Sequence, residues 1–476
     1  MYYKLRNDIL FRKYPKHGYI TDASEYRYFM LNDNRKRLGE KFVSASGAVM
    51  LSMLDKIPRS IDEIVENLSK IFVGVDLETL QHDTIEFFEL FVEEGYVCQG
   101  ASPDACIDYL VIHTLQNEKL NLNQDTLVSD GCVGKEINSN EFLRSIHIDI
   151  ADACNEHCIH CYIPENCKKH IIDSSLFYRI IEEGIKSNIV HVTLSGGEPL
   201  LHKDIIDFLK KCREQGLAVN ILSNLTLLTD EIISEMKKNP LLSVQVSLYS
   251  MDHFIHDSIT QLKGSFEKTV DSILKLCAEG IPVQISCPII KRNMKSFEEV
   301  LHWGWNHNIG VVSEPQIFAT YDHSQCNLDN RLSVDEVSEI IDLQIKEGFA
   351  QSIYDIAQYK ILLDENDPIC SICRYSFCVK TDGKVFPCAG WQNNIIGDLR
   401  LQTIKEIWEL SNEVQNLRKI KRSKFSQCVN CNERGYCTVC MMWNSNENDD
   451  GNPYKINSYR CHIADLIHQK VENALL

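Results

Sequence analysis

The 476-residue chain has no window approaching 18 uninterrupted apolar residues, so no segment reads as a membrane-spanning helix. Lys4, Arg6 and Asp8 interrupt the N-terminus where an export signal needs its apolar stretch. Positive charge is not in excess either: 49 Lys+Arg against 67 Asp+Glu give a formal net charge of -18, which disfavours holding nucleic acid by its phosphates. Internal repeats and low-complexity tracts are missing. Hydrophobic residues at 44% and charged residues at 24% exclude a largely disordered or collagen-like chain. These absences point to a cytoplasmic protein with neither nucleic acid nor membrane as partner, divided into roughly three domains at about 150 residues each.

Cysteine is abundant instead, with 20 residues. A secreted disulfide scaffold is normally short and carries an export signal, so metal or cluster ligation becomes the leading explanation. Cys154, Cys158 and Cys161 form one knot, and nine more lie between Cys370 and Cys461. The remaining eight read mostly as small buried apolar residues.

Along the chain, residues 1–100 suggest a small α+β domain. An alternating stretch from Tyr19 to Leu31, broken by Asp22-Ala23-Ser24, reads as a hairpin with an exposed edge. Ser60 and Glu63 make a capping box, and a second helix runs from near Asp76 to near Gly95. Residues 101–143 read as a linker, polar and rich in Asn, Asp and Gly from Asn117 to Asn140. Beyond it, strand-like runs at Ser145–Ile150, Val190–Leu194, Leu217–Leu222, Ser243–Leu248, Pro282–Pro288 and Val311–Phe318 alternate with amphipathic helical stretches. Six strands with helical crossovers imply an α/β fold, a parallel sheet closed or half closed into a barrel. The expected core is 144–320, with a connecting helical segment at 321–369 and a cysteine-rich domain at 370–476.

In such a fold the chemistry sits at the carboxyl ends of the strands. Cys154, Cys158 and Cys161, spaced C-x3-C-x2-C, follow the first strand directly. Three thiolates so close can hold three irons of a cubane and leave the fourth open to an exogenous ligand. A zinc knuckle completed by His157 or His160 is the competing reading. Ser195-Gly196-Gly197-Glu198-Pro199 closes the second strand and offers close backbone approach and a carboxylate for an ammonium group.

On these residues the stretch from 145 to about 320 resembles the radical S-adenosylmethionine (SAM) superfamily. The resemblance implies a partial (β/α)6 barrel in which Cys154, Cys158 and Cys161 hold a [4Fe-4S] cluster whose open iron chelates SAM. It further implies that Ser195, Gly196, Gly197 and Glu198 receive the SAM amino group and that His160 packs near the adenine. Ser223, Asn224 and Ser247 become candidates for its ribose and carboxylate. Relatives commonly carry Asn-Gly-Thr where this chain has Asn224-Leu225-Thr226.

The C-terminal cysteines resemble the SPASM extension of such enzymes, which usually binds two auxiliary [4Fe-4S] clusters, making three in all. By that analogy one takes Cys370, Cys373, Cys388 and Cys440, with Cys378 the alternative to Cys370, and the other takes Cys428, Cys431, Cys437 and Cys461. The spacing of Cys437 and Cys440 is one residue shorter than usual. A pair of zinc sites is the alternative for these C-x2-C pairs. The N-terminal domain is similar to the winged-helix-like leader-recognition domains of enzymes that modify ribosomally made peptides, where an extended leader adds to a sheet edge. Together these resemblances imply a peptide maturase that forms a thioether, with a leader-bearing precursor peptide and an electron donor such as flavodoxin or ferredoxin as partners. Carbon–carbon cross-linking, epimerisation and sulfatase-type maturation are alternatives, as is an iron–sulfur electron carrier, although a carrier has no use for Gly196-Gly197-Glu198. The leader domain is expected to be separable from the barrel by a cut near Asn121.

Overall fold

The computed structural model describes residues 1–108 and 142–476. Most of the expected linker 101–143, including the polar stretch Asn117 to Asn140 and Cys132, lies outside the described residues.

Six strands pair in chain order and in parallel: β7 (Ser145–Ala151), β8 (His191–Gly196), β9 (Ala218–Ser223), β10 (Leu242–Ser247), β11 (Val283–Pro288) and β12 (Gly310–Glu314). Parallel neighbours need crossovers, supplied by helices Ser174–Lys186, Ile205–Glu214, Asp230–Met236, Ser265–Ala278 and Phe297–Asn306. Alternation decides the two faces of the sheet. Ile146, Ile148, Ile150, Val192, Leu194, Val219, Ile221, Val244 and Val246 join the apolar core beneath the helices. The residues between them, His147, Asp149, Thr193, Ser195, Asn220, Ser243 and Gln245, give the concave face a polar lining. The last strand stops at Glu314 rather than Phe318, because Pro315 cannot donate to the ladder and Gln316 N turns back onto the Glu314 carboxylate. A short helix, His253–Thr260, had no expectation behind it.

The cysteine-rich domain continues the same sheet. Strand β13 (Ser376–Val379) pairs in parallel with β7, and β14 (Lys384–Phe386) and β15 (Gly397–Asp398) follow antiparallel, making nine strands in one sheet. The segment before it holds helices Val334–Lys346 and Ala350–Ile361.

The N-terminal domain has two three-stranded sheets. Strands β1 (Tyr2–Leu5), β5 (Arg59–Ser60) and β6 (Val97–Gly100) form one, while β2 (Leu10–Lys13), β3 (His17–Thr21) and β4 (Glu40–Ser44) form a meander. Asp76 caps helix Leu77–Glu94, and Gly95 at φ 98° ends it. Ser60 accepts from Glu63 N at 3.2 Å, but the return half of the expected capping box is missing, since the Glu63 carboxylate turns to Arg59. The expected hairpin over Tyr19–Leu31 is corrected. After β3, Thr21 and Asp22 accept from Ala23 N and Ser24 N, Ala23 adopts φ 56°, and the chain leaves the sheet. Residues 26–31 instead close the floor of the barrel. Tyr26 stacks on His191 and accepts from Asn220 through its carbonyl, Tyr28 N donates to Ser243 Oγ, and Met30 bridges Ile309. Leu10, Tyr19 and Ala23 share a core with Val190, Ala218 and Leu241, so the N-terminal domain packs directly on the barrel. Among the described residues no helix is long and apolar enough to cross a membrane.

Candidate active site

The cysteine loop leaves the end of β7 and is pinned at both ends. Asp152 N and Ala153 N donate to His170 O, while His157 N and Ile159 N donate to the carbonyls of Thr260 and Ile259 at the end of the unexpected helix. Gly197 N and Glu198 N donate to Ala151 O and Ala153 O at 2.6 and 2.9 Å. A Cβ on Gly196 would lie 2.1 Å from Ala151 O, and one on Gly197 would lie 2.5 Å from Ala153 O. The glycine pair is therefore demanded by the backbone that leads into Cys154.

Cys154, Cys158 and Cys161 are free thiols on this loop. Burial pushes the Cys154 thiol up to about 12 and raises Cys158 and Cys161 as well. The Lys168 ammonium opposes this at Cys161. Thiols so disposed ionise only against a cation or metal. A single zinc with Zn–S near 2.3 Å would draw its sulfurs within about 4 Å. Among the described residues the three sulfurs do not all lie within 4.8 Å of one another. Neither histidine completes a zinc site: His157 is exposed and paired with Glu165 at 3.1 Å, and the His160 ring packs edge-on against Tyr249 at 5.0 Å. The donor set suits a cluster whose irons take one thiolate each.

Glu198 is fully buried. It accepts from Leu200 N at 2.9 Å, Ser223 Oγ at 2.7 Å and Asn224 N at 2.8 Å, which leaves about one of its four lone-pair positions free. Burial lifts its pKa to about 7, against the pull of these donors. Asn224 also donates to Asn155 at 3.0 Å and accepts from Thr226. The structure thus brings Glu198, Ser223 and Asn224 into one network beside Cys154. Ser195 is buried one residue before Gly196, and Ser247 lies at the end of β10 beside the Tyr249 phenol.

Five further residues, Glu156, Tyr249, His256, Asp257 and Ser265, join the site. Glu156, buried in the loop, accepts from Ser265 Oγ at 2.6 Å and from Cys158 Sγ at 3.5 Å. His256 contacts Ser265 through Nε2 and accepts from Tyr249 N, and the Tyr249 hydroxyl lies 3.8 Å from Cys158 Sγ. Asp257 accepts from Gly264 N and Phe266 N, fixing the turn that carries Ser265. His256-Asp257 and Gly264-Ser265-Phe266 stand close together in the sequence, but nothing local ties them to Glu156. Within the barrel, His147 Nε2 lies 3.1 Å from Asp149 Oδ1, and Asp149 Oδ2 accepts from Gln392 of the cysteine-rich domain at 2.9 Å. Cys378 joins this pair.

The C-terminal cysteines gather in two groups. Cys428, Cys431, Cys437, Cys440 and Cys461 line a cavity of about 330 Å³ with Lys360, Arg422, Arg434 and Arg460 at its wall. Cys428 feels the charges of Cys437, Cys461 and Cys431. Cys388 feels Cys440 and Cys370, and Cys373 feels Cys370, while burial pushes Cys373 and Cys388 up to about 12. Cys378 also lies within reach of Cys388. Tyr162, next to Cys161, lies within electrostatic reach of Cys161, Cys378 and Cys388. Of the other cysteines, Cys98, Cys106, Cys212 and Cys287 are buried, Cys167 and Cys277 are half-buried and Cys326 is exposed.

Three family models match: the radical SAM superfamily over residues 148–304, the SPASM iron-sulfur cluster-binding domain over 370–432, and coenzyme PQQ synthesis protein D (PqqD) over 41–97. The chain is 24% identical over 320 residues to an AdoMet-dependent heme synthase of Methanosarcina barkeri, covering 62% of this chain and 90% of that protein. It is 23% identical over 364 residues to the subtilosin biosynthesis protein AlbA of Bacillus subtilis, covering 71% and 76%. Its fold is similar to that of Streptococcus suis SuiB bound to its precursor peptide SuiA, with TM-score 0.59 and 12% identity over 96% of this chain and 99% of SuiB.

Proposed function

We propose, from the premise that this chain is a radical SAM enzyme with a SPASM iron–sulfur domain and a PqqD-like domain, that it matures a ribosomally made precursor peptide by closing a thioether from a cysteine sulfur to a peptide carbon. When bound, SAM and its iron–sulfur cluster supply the 5′-deoxyadenosyl radical that removes a hydrogen atom from the peptide. Cys154, Cys158 and Cys161 would hold that cluster. Glu198 would accept an N–H of the SAM amino group on its remaining lone pair, with Ser223 and Asn224 holding the Glu198 carboxylate in place. Cys370, Cys373, Cys388 and Cys440 would hold one auxiliary cluster and Cys428, Cys431, Cys437 and Cys461 another. Lys360, Arg422, Arg434 and Arg460 line that cavity beside Asp364, Glu365 and Glu433, leaving one positive charge in excess to face the thiolates.

The observation that carries the peptide reading is the edge of β4. Among the described residues it pairs on one side only, with β3, and helix Leu77–Glu94 reaches it through Lys41 and Glu94. A leader added to this edge would gain backbone hydrogen bonds, with side-chain pockets along the helix. AlbA is a subtilosin biosynthesis protein and SuiB binds a precursor peptide, which supports the same class of substrate here.

Co-expression with cysteine-containing precursors encoded beside the gene tests this reading. The expected product has lost two hydrogens per cross-link and resists thiol alkylation at the linked sulfur. Proline placed at successive leader positions should abolish binding where an amide donor is lost. A product that loses hydrogens yet keeps every thiol alkylatable replaces the thioether with a carbon–carbon bond.

A further inference from the structure

Residues 416–424 carry five cations, Arg418, Lys419, Lys421, Arg422 and Lys424, and no anion, in a chain of net charge -18. Arg418 is used by the fold: it is buried, donates to Cys373 O at 2.7 Å and stacks over Trp408. The others are placed differently. Lys419, Lys421 and Lys424 are exposed. No ion pair ties any of them, or Arg422, to a carboxylate among the described residues; the polar contact of Lys421 is to Asn366, and Lys424 lies 5.1 Å from the Tyr454 ring. The adjoining loop carries Asp364, Glu365 and Asp367, but it meets this segment through backbone bonds from Arg422 N and Ser423 N. Tyr454, 41% exposed, borders a shallow recess with Lys419, Lys421 and Lys424.

The same segment is also the wall of the cysteine cavity. Arg422 and Phe425 line it together with Cys428, Cys431, Cys437 and Cys461. A molecule seated on the lysine face is therefore separated from those sulfurs by little more than one thickness of chain. From there the thiols continue inward: Cys440 follows Cys437 closely, Cys388 feels Cys440, and Tyr162 lies within reach of both Cys388 and Cys161.

We propose that Lys419, Lys421, Lys424 and Tyr454 form the docking face for a small acidic one-electron carrier protein, of the flavodoxin or ferredoxin class. This rests on the reading that Cys428, Cys431, Cys437 and Cys461 hold an iron–sulfur cluster. The charge pattern argues for an acidic partner in particular: the molecule as a whole repels it, and this unpaired cationic face around an aromatic residue attracts and orients it. One electron leaves the reduced carrier, which is oxidised by one electron. One electron is consumed for each SAM cleaved reductively, and no proton or group is transferred at the docking face.

The test uses the iron-loaded full chain and an acidic flavodoxin as probe. Binding is followed by flavin fluorescence between about 50 and 300 mM salt, a range over which surface charges become strongly screened. The expected result is that the triple variant Lys419→Glu, Lys421→Glu, Lys424→Glu weakens Kd at least tenfold and flattens its salt dependence. The triple Lys→Gln variant should fall between. Iron content and dithionite-driven formation of 5′-deoxyadenosine should stay within twofold of the parent, while flavodoxin-driven formation drops with binding. An unchanged Kd in the Glu variant overturns the docking face. Equal losses with dithionite and flavodoxin overturn it too, as does tighter binding of a short DNA duplex than of flavodoxin. Zinc in place of iron at the C-terminal cysteines overturns the cluster reading and electron entry with it, whereas a charge-independent Kd overturns docking alone.

Discussion

At the residue scale, Leu225 records a compromise. The backbone here suits glycine: φ is 60°, in the left-handed region that costs a side-chain-bearing residue about 1–2 kcal/mol. The Leu225 side chain is nevertheless fully buried in the main core, where removing a leucine typically costs about 3–5 kcal/mol. Leu225→Gly is therefore expected to destabilise the barrel by about 1–4 kcal/mol, read as a lower midpoint in thermal or denaturant unfolding. Glu198 carries a pH signature. Its folded pKa of about 7 lies above the ordinary value of 4.5, so its contribution to stability is full below about pH 4.5 and is lost as pH rises through 7. SAM binding works in the opposite sense, because the N–H groups of its amino nitrogen need the ionised carboxylate as acceptor. Affinity measured by calorimetry should rise by up to about tenfold per pH unit below 7 and level off above it. Glu198→Gln should remove that slope and weaken binding by about 1.5–3 kcal/mol with iron content intact. Unchanged affinity would take Glu198 out of the site.

At the element scale, the second strand supports the cysteine loop. Gly197 leaves no room for a side chain, because a Cβ there would lie 2.5 Å from both Asp152 O and Ala153 O. Gly197→Ala must therefore displace the backbone just before Cys154. Reconstituted protein is expected to carry about twelve irons, from three cubanes of about four. The Gly197→Ala variant should lose about four of them while the auxiliary irons remain, matching the triple Ala variant of Cys154, Cys158 and Cys161. Iron analysis with electron paramagnetic resonance would check both. Full iron content in Gly197→Ala would show that the loop tolerates the shift.

At the scale of the whole molecule, Arg144 joins three regions. Its guanidinium bonds Glu40 on β4 at 2.7 Å, lies over Phe142 and Tyr375, and sits where the barrel and the cysteine-rich domain begin their shared pairing. Residues 26–31 meanwhile seal the barrel floor. Deleting residues 1–120 would therefore uncover Val190, Ala218 and Leu241 and strip Arg144 of its Glu40 partner. The truncated chain is expected to melt at a lower temperature and to give less soluble protein than the full chain. A truncated core with unchanged melting temperature would show that the floor needs no cover.

The sequence alone determined whatever rests on local order. Periodicity placed the first five barrel strands and the crossover helices to within about two residues, because alternation and 3.6-residue spacing follow directly from which face is buried, whereas the sixth strand ends four residues early, before Pro315. The cysteine loop was legible because its three thiols stand close in sequence directly after a strand, and Gly196-Gly197-Glu198 because a sharp strand end must be spelled out in neighbouring residues. Only the tertiary structure could show that Tyr19–Leu31 is split between a meander and the barrel floor. An alternating run suits either, and the choice depends on His191, Asn220 and Ser243 far along the chain. The same holds for Glu156 and Ser265, 109 positions apart, and for Asp149 and Gln392, 243 apart. Each of these contacts is made by a side chain that a solvated loop would accept equally well. Spacing in sequence carries information only as far as the local backbone is rigid, and beyond that distance the packing of the sheet decides which polar groups meet.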